Sequence, residues 1–350
     1  MLLTVLVTGL LSVGAFAVFW YRSFRARRSK VSGQTLFRSN ERVTLWSPYP
    51  DFRSTPLLSV RAVILGIVTS ASETDGTRTG GDAVTGRWDG VDVHFGEEGG
   101  RLTYGSYLRL GQLLDQQRLE SDPPAHDELL FITIHQVYEL WFKQVLHEMT
   151  ASRDAMLSGE LWLAQHLLRR VHTIERTLTQ QVDILETMTP QDFGEFRHRL
   201  SPASGFQSVQ FREIEFLSGA KDPSFVKRFR GLSEAEKIRI QQRLDEPTLW
   251  DAFLVVLEKA GFATASDDDL YKALQTVAGD RAQYGAVWEL AEALLQHDEL
   301  AAAWRARHVV MVERMIGTKP GTGGSSGAGY LRSRLDLRYY PHLWHLRTAL

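Results

Sequence analysis

The sequence predicts an all-α fold, a bundle of long helices, on three observations. In HDELLFITIHQVYELWFKQVLHEM the residues Leu130, Ile134, Val137, Trp141, Val145 and Met149 recur at steps of three and four, while Glu139, Lys143 and Glu148 fall elsewhere. That is the period of a helix with one buried face. Similar patterns cover residues 161–185, 234–261 and 270–316, and Ser233 with Glu236 has the spacing of a capping box. Strand-like alternation is scarce, and the breaks fall at Pro202, Pro223, Pro247 and a glycine-rich loop.

Taken in chain order, the first segment stands apart. Residues 1–21 are uncharged and mostly apolar, and RSFRARRSK follows, with five basic residues from Arg22 to Lys30. The run is long enough to span a bilayer. Residues 1–30 therefore read in two ways: as a membrane anchor whose basic flank keeps the rest of the chain cytoplasmic, or as residues upstream of the true translation start. Residues 31–95 mix short apolar pieces with Gly/Thr/Asp-rich text such as SETDGTRTGGDAVTGRWDG, and read as a linker or poorly ordered arm. Residues 96–350 read as one helical domain.

Composition narrows the chemistry. With 350 residues, 43% hydrophobic, the chain can bury a proper core. A net charge of −2, with no basic stripe interleaved with aromatics, gives no sign of a nucleic-acid partner. The complete lack of cysteine removes disulfides, thiolate nucleophiles, zinc ribbons and thiolate-held iron, so any metal must rest on His, Tyr, Met or carboxylates. Among eleven histidines there is one Glu-x-x-His, at Glu195 and His198, and no His-Glu-x-x-His, which disfavours a di-iron bundle and a zinc protease alike.

Two histidines lie on apolar helical stretches. His135 follows Phe131 by one turn, so both side chains enter the same space. His308 sits among Val309, Val312, Met315 and Ile316, with Arg305, Arg307 and Arg314 nearby. A nitrogen donor, an apolar wall and cations for rim carboxylates are what a buried haem needs. Taken alone, His135 reads more readily as a hydrogen-bonded core residue, and His308 as part of an ordinary amphipathic stripe. Phe193 and Arg197 lie one turn apart before SPASG, an arrangement that clamps a carboxylate beside an aromatic or makes a surface ion pair. After His308 come six glycines in residues 317–329 with the hydroxyls Thr322, Ser325 and Ser326. Lys319 precedes the glycines, so this is no P-loop; it has the make-up of a lid, one that would order as substrate arrives.

Four stretches in order, RLTYGSYLRLGQLL, HDELLFITIHQVYELWFKQVLHE, LETMTPQDFGEFRHRLSPASGFQSVQFREIEF and RHVVMVERMIGTKPGTGGSSGAGYL, resemble the tryptophan 2,3-dioxygenase family from about residue 100 onward. The resemblance implies helices enclosing a haem b pocket, one haem per subunit, in a homotetramer. It also implies insertion of O2 across the indole C2–C3 bond of L-tryptophan to give N-formylkynurenine. His308 matches the axial haem ligand, His135 the catalytic distal histidine and Phe131 the ring against the indole. Arg197 matches the carboxylate clamp, Phe193 its neighbour, and Thr322 the partner of the ammonium. Ser204 and Gly205 match the turn beside the haem, while Tyr104, Tyr107 and Leu108 match a helix that completes a neighbouring subunit's site. Some members carry tyrosine where Phe193 stands. A relaxed indoleamine-type dioxygenase generally lacks the distal histidine, and a haem sensor has no use for Arg197 and Thr322 together.

Overall fold

The computed structural model describes residues 84–88, 91–95, 102–225 and 231–350. The chain divides into two units, Met1–Gly96 and Glu97–Leu350. In the first, β1 (Val84–Trp88) pairs antiparallel with β2 (Val91–Phe95), Trp88 opposite Val91. The connection is Asp89-Gly90, a dipeptide suited to the tight hairpin turn. The hairpin falls inside the stretch read as linker or arm; the anchor-like residues 1–30 lie outside the described residues. Among the described residues no helix is long and apolar enough to cross a membrane.

The second unit is helical, as its periodicity predicts. Its elements are α1 (Tyr104–Leu108), α2 (Leu110–Leu113), α3 (Glu128–Ser158), α4 (Leu161–Leu185), α5 (Pro190–Arg197), α6 (Val209–Ser218), α7 (Glu234–Asp245), α8 (Leu249–Lys259), α9 (Asp267–Gly279), α10 (Arg281–Ile316), α11 (Ala328–Arg332) and α12 (Pro341–Leu346). The capping box at Ser233 and Glu236 is formed. The periodic run 234–261 is two helices rather than one, because Pro247 cannot continue α7 and Thr248 caps α8 with Asp251. The run 270–316 likewise divides at Asp280, whose side chain accepts from Gln283 N and starts α10.

Three long helices set the frame. Gly159, at φ 91°, ends α3 in the left-handed region, and α4 begins two residues later. Cross-links Ser152–Ala164, Glu148–Arg170 and Tyr138–Leu178 then run antiparallel along the pair. α10 lies parallel to α4: Gln165 bonds Ala286, His172 bonds Ala293, Glu175 bonds His297 and Glu186 bonds Arg307. These pairs keep a nearly constant separation of 121 or 122 residues, the mark of two helices in register. The main core, including Met149, Leu168, Phe253, Leu274, Leu290 and Tyr340, fills the space between them. The C-terminal segment is pinned by Asp298, whose Oδ2 accepts from Tyr339 N, Tyr340 N and Trp344 Nε1 at 2.8, 3.0 and 2.9 Å. A second, smaller cluster of Ile134, Val182, Leu185, Phe196, Met311 and Met315 lies at the end of the frame where the site forms.

His172 on α4 is 2% exposed and donates through Nε2 to the Ala293 carbonyl at 2.9 Å. Burial, reinforced by the charge of His297, pushes its pKa down to about 3. A histidine in the unfolded chain titrates near ~6.5, so this contribution is complete above that pH and is lost as pH falls toward the folded value. For His297 burial opposes the charge, but Glu175 and Asp298 outweigh it and raise the pKa, so its effect falls in the window above. We expect the unfolding free energy to drop by about 2–3 kcal/mol more between pH ~6.5 and ~4 in the parent chain than in His172→Gln. Urea titrations at stepped pH measure this, and parallel slopes would show that His172 is not the titrating group.

Candidate active site

The stripe of α3 that includes Phe131, His135, Tyr138 and Phe142 faces the stripe of α10 that includes Trp304, His308, Met311 and Met315. Steps of three and four put each set on one side of its helix. Between them lies a cavity of about 310 Å³, within the range of small-molecule sites. Phe193 and Arg197 from α5, Ser204 and Gly205 from the following turn, and Thr322 from the glycine loop also line it. Tyr104, Tyr107 and Leu108, expected to serve a neighbouring subunit, are elsewhere: α1 has no buried residue, and Tyr104 and Tyr107 are 75% and 71% exposed.

Both cavity histidines are neutral at ordinary pH. Burial, reinforced by the charge of His135, pushes His308 down to about 4. Neither of its ring nitrogens has a hydrogen-bond partner among the described residues, and the Trp304 ring stacks on it at 4.9 Å. Burial also lowers His135, against the opposing effects of the Phe131 carbonyl and Glu139. Protein atoms crowd around it although its side chain remains accessible, and it lines the cavity. The His135 Nδ1 lies 2.7 Å from the Phe131 carbonyl oxygen, which can only accept. The proton therefore sits on Nδ1, and Nε2 offers a lone pair. One turn on, Glu139 is held by Gln210, whose Nε2 donates to its carbonyl and to Oε2, both at 2.8 Å.

One end of the cavity is closed by aromatic rings and the loop. Phe131, Phe193 and Phe196 meet pairwise at 5.4–5.5 Å. α5 is fixed by Thr189, which shares a capping box with Asp192 and has Pro190 next to it. That leaves Arg197 in the last turn, donating from Nη2 to the Pro320 carbonyl at 2.5 Å. Thr322 Oγ1 donates to the Ala203 carbonyl at 2.6 Å. The loop is thus docked on the 201–204 turn by its own hydrogen bonds, where the sequence suggests that ordering waits for substrate. Gly323 permits this approach, and Gly327 lets the loop fold back on itself. A Cβ on the first would lie 2.6 Å from Ser204 Cβ, and one on the second, where φ is +61°, would lie 2.5 Å from the Lys319 carbonyl oxygen.

The arginines differ from expectation. Arg307 and Arg314 do not line the cavity; both turn to Glu186 on α4. Arg305 does line it, although it also donates to Tyr339 Oη and the Leu337 carbonyl. The cavity cations missed from the sequence are Arg212 and Arg334, which flank Glu215. Arg212 is buried over the Phe206 and Phe225 rings at 5.0 and 4.8 Å. The Nε atoms of Arg212, Arg305 and Arg334 are buried without a partner among the described residues. The only sequence signal for Arg212 was its placement between phenylalanines in QFREIEF.

Comparison with known proteins agrees with this arrangement. The family model for tryptophan 2,3-dioxygenase matches residues 91–272 and 270–350. A tryptophan 2,3-dioxygenase of Nocardioides sp. is 71% identical over 262 residues, covering 74% of this chain and 98% of the relative. Those of Herpetosiphon aurantiacus and Caulobacter vibrioides are 47% and 41% identical, each covering 71% of this chain and 98% of the relative. With the match spanning the whole helical unit and every wall of the cavity, the chain belongs to the tryptophan 2,3-dioxygenase family.

Proposed function

We propose that this chain is a haem-dependent dioxygenase that cleaves the indole C2–C3 bond of L-tryptophan with O2, giving N-formylkynurenine, the first step of tryptophan catabolism by the kynurenine route. The observation that carries the reading is the pair of neutral imidazoles, His135 and His308, on opposite walls of one cavity that Arg197 and the glycine loop close at one end. The family membership and the named relatives support the same activity.

The residues fit haem b, one per subunit. His308 supplies an uncharged nitrogen donor with no competing partner; Trp304, Met311, Val312 and Met315 supply carbon surface. Arg212, Arg305 and Arg334 supply cations, with unpartnered Nε–H groups, for its carboxylates. Ser204 and Gly205 lie on the same wall system. When bound, the haem would supply activation of O2; the chain would supply a nitrogen ligand from His308, orientation and a dry pocket.

Substrate recognition follows from the remaining groups. The free lone pair on His135 Nε2 suits the indole N–H, so this residue acts by orienting the ring. Phe131 and Phe193 flank it with aromatic surface. Arg197 keeps N–H donors beyond the one given to Pro320 for a substrate carboxylate, and the Thr322 oxygen retains acceptor capacity for an ammonium. Phe193 has no hydroxyl to share the carboxylate, so Arg197 carries more of that recognition. Tyr104, Tyr107 and Leu108, uncovered in the single chain, complete the site of a neighbouring subunit in a homotetramer. Residues 96–350 are the catalytic domain, placed in the cytoplasm, with residues 31–95 as a linker or arm. A membrane tether enters only if residues 1–21 are a translated anchor.

Reduced, haem-loaded protein mixed with L-tryptophan and air should form N-formylkynurenine, and absence of product refutes the reading. His308→Ala should lose the haem absorption band on gel filtration, whereas His135→Ala should keep it and turn over more slowly; a band retained by the first variant removes the ligand assignment. A charge-assisted pair worth about 1.5–3 kcal/mol implies that Arg197→Ala raises the tryptophan KM by roughly 10- to 100-fold. An unchanged KM takes Arg197 out of the site.

A further inference from the structure

A second cavity, of about 40 Å³, lies where α3, α4, α6 and α10 meet. One water molecule's share of the liquid is roughly 30 Å³, so this space suits a molecule of two or three heavy atoms and excludes an indole. Leu178, Ile214 and Ala301 line this cavity and not the main one, whereas Phe142, Phe211, Trp304 and Arg305 line both. Those three rings form the partition, Phe142 to Phe211 at 5.7 Å and Phe211 to Trp304 at 5.2 Å.

The surface the cavity offers is almost entirely carbon. Most polar atoms around it are turned to one another or to the main chain. His297 uses Nδ1 on Glu175 Oε1 at 2.7 Å and Nε2 on Ser218 Oγ at 2.8 Å. Arg305 donates to Tyr339 Oη at 3.2 Å and to the Leu337 carbonyl at 2.7 Å. A water molecule there gives up hydrogen bonds that carbon cannot replace, whereas an apolar diatomic gives up none. The competing occupant is a water held by Glu175 Oε2, Trp304 Nε1 or Arg305 Nε, which are buried and have no partner among the described residues.

We infer that this cavity is a docking site for a small apolar gas of the O2 class, held behind the Phe142–Phe211–Trp304 partition and delivered past it to the main cavity. The delivery role rests on the dioxygenase reading; the binding site does not. It gives the gaseous co-substrate a place of its own while the organic substrate and the loop close the other end.

Xenon is the probe. Crystals of the haem-loaded protein pressurised with xenon should show a peak among Leu178, Ile214 and Ala301. Density for a water there with no xenon overturns the inference, whatever the activity. Ala301→Leu and, separately, Ile214→Phe fill the cavity without touching the main one. Each should abolish the xenon peak and raise the apparent KM for O2 by about threefold or more, leaving the tryptophan KM unchanged. An unaltered O2 KM in a folded variant that has lost xenon overturns the delivery role. Failure of the parent protein to oxidise tryptophan at all would instead count against the dioxygenase reading.

Discussion

The rotation of α10 about its own axis decides where the rings of the cavity point, and α4 fixes that rotation. Two attachments define it: His297 to Glu175 in the buried interior and Arg307 to Glu186 and Asp183 nearer the surface. They lie ten residues apart on α10, about 2.8 turns, so the two side chains emerge about 80° apart around the helix and grip it on two adjoining sides. His308 follows Arg307 by one residue, about 100° around the helix, so its imidazole lines the cavity while the Arg307 guanidinium reaches Glu186 and Asp183. The inner attachment is the stiffer, since breaking a buried ion pair by removing one partner typically costs about 3–5 kcal/mol. Glu186 gives up any part in ligand binding to hold two arginines, and those arginines hold its carboxyl below the usual range.

Much of the frame was legible because burial writes a period into a helix. α4 runs over the residues that its apolar spacing marked, and the capping signals at Ser233 and the break at Pro247 acted locally, as such signals do. The division at Asp280 was not legible. Helical periodicity continues across it, and an aspartate caps a helix only when the chain before it has turned away. The hairpin 84–95 was missed for a related reason: each strand has only five residues, set in glycine- and threonine-rich text, and the Asp-Gly turn carries weight only once strands are suspected.

The site was legible through order rather than through single residues. His135 and His308 are each ambiguous on one helix, and their opposition arises from packing about 170 residues of intervening chain. Arg212 and Arg334 escaped notice because an arginine on an amphipathic helix defaults to solvent, and only the tertiary fold turns these two inward against Glu215. Arg307 and Arg314 misled for the opposite reason: proximity in sequence to His308 says nothing of the side on which a guanidinium emerges.

The docked loop is specified by absent atoms. Its anchors are main-chain oxygens, Pro320 and Ala203; its closeness to the 201–204 turn depends on hydrogen standing where a methyl would collide at position 323, and its own fold on the same at position 327. Shuffling the charges and most hydroxyls of this segment leaves the latch in place, while one added carbon at either position props it ajar. Accommodation of bulkier indoles is therefore more accessible to this scaffold by loosening the door than by excavating the room behind it.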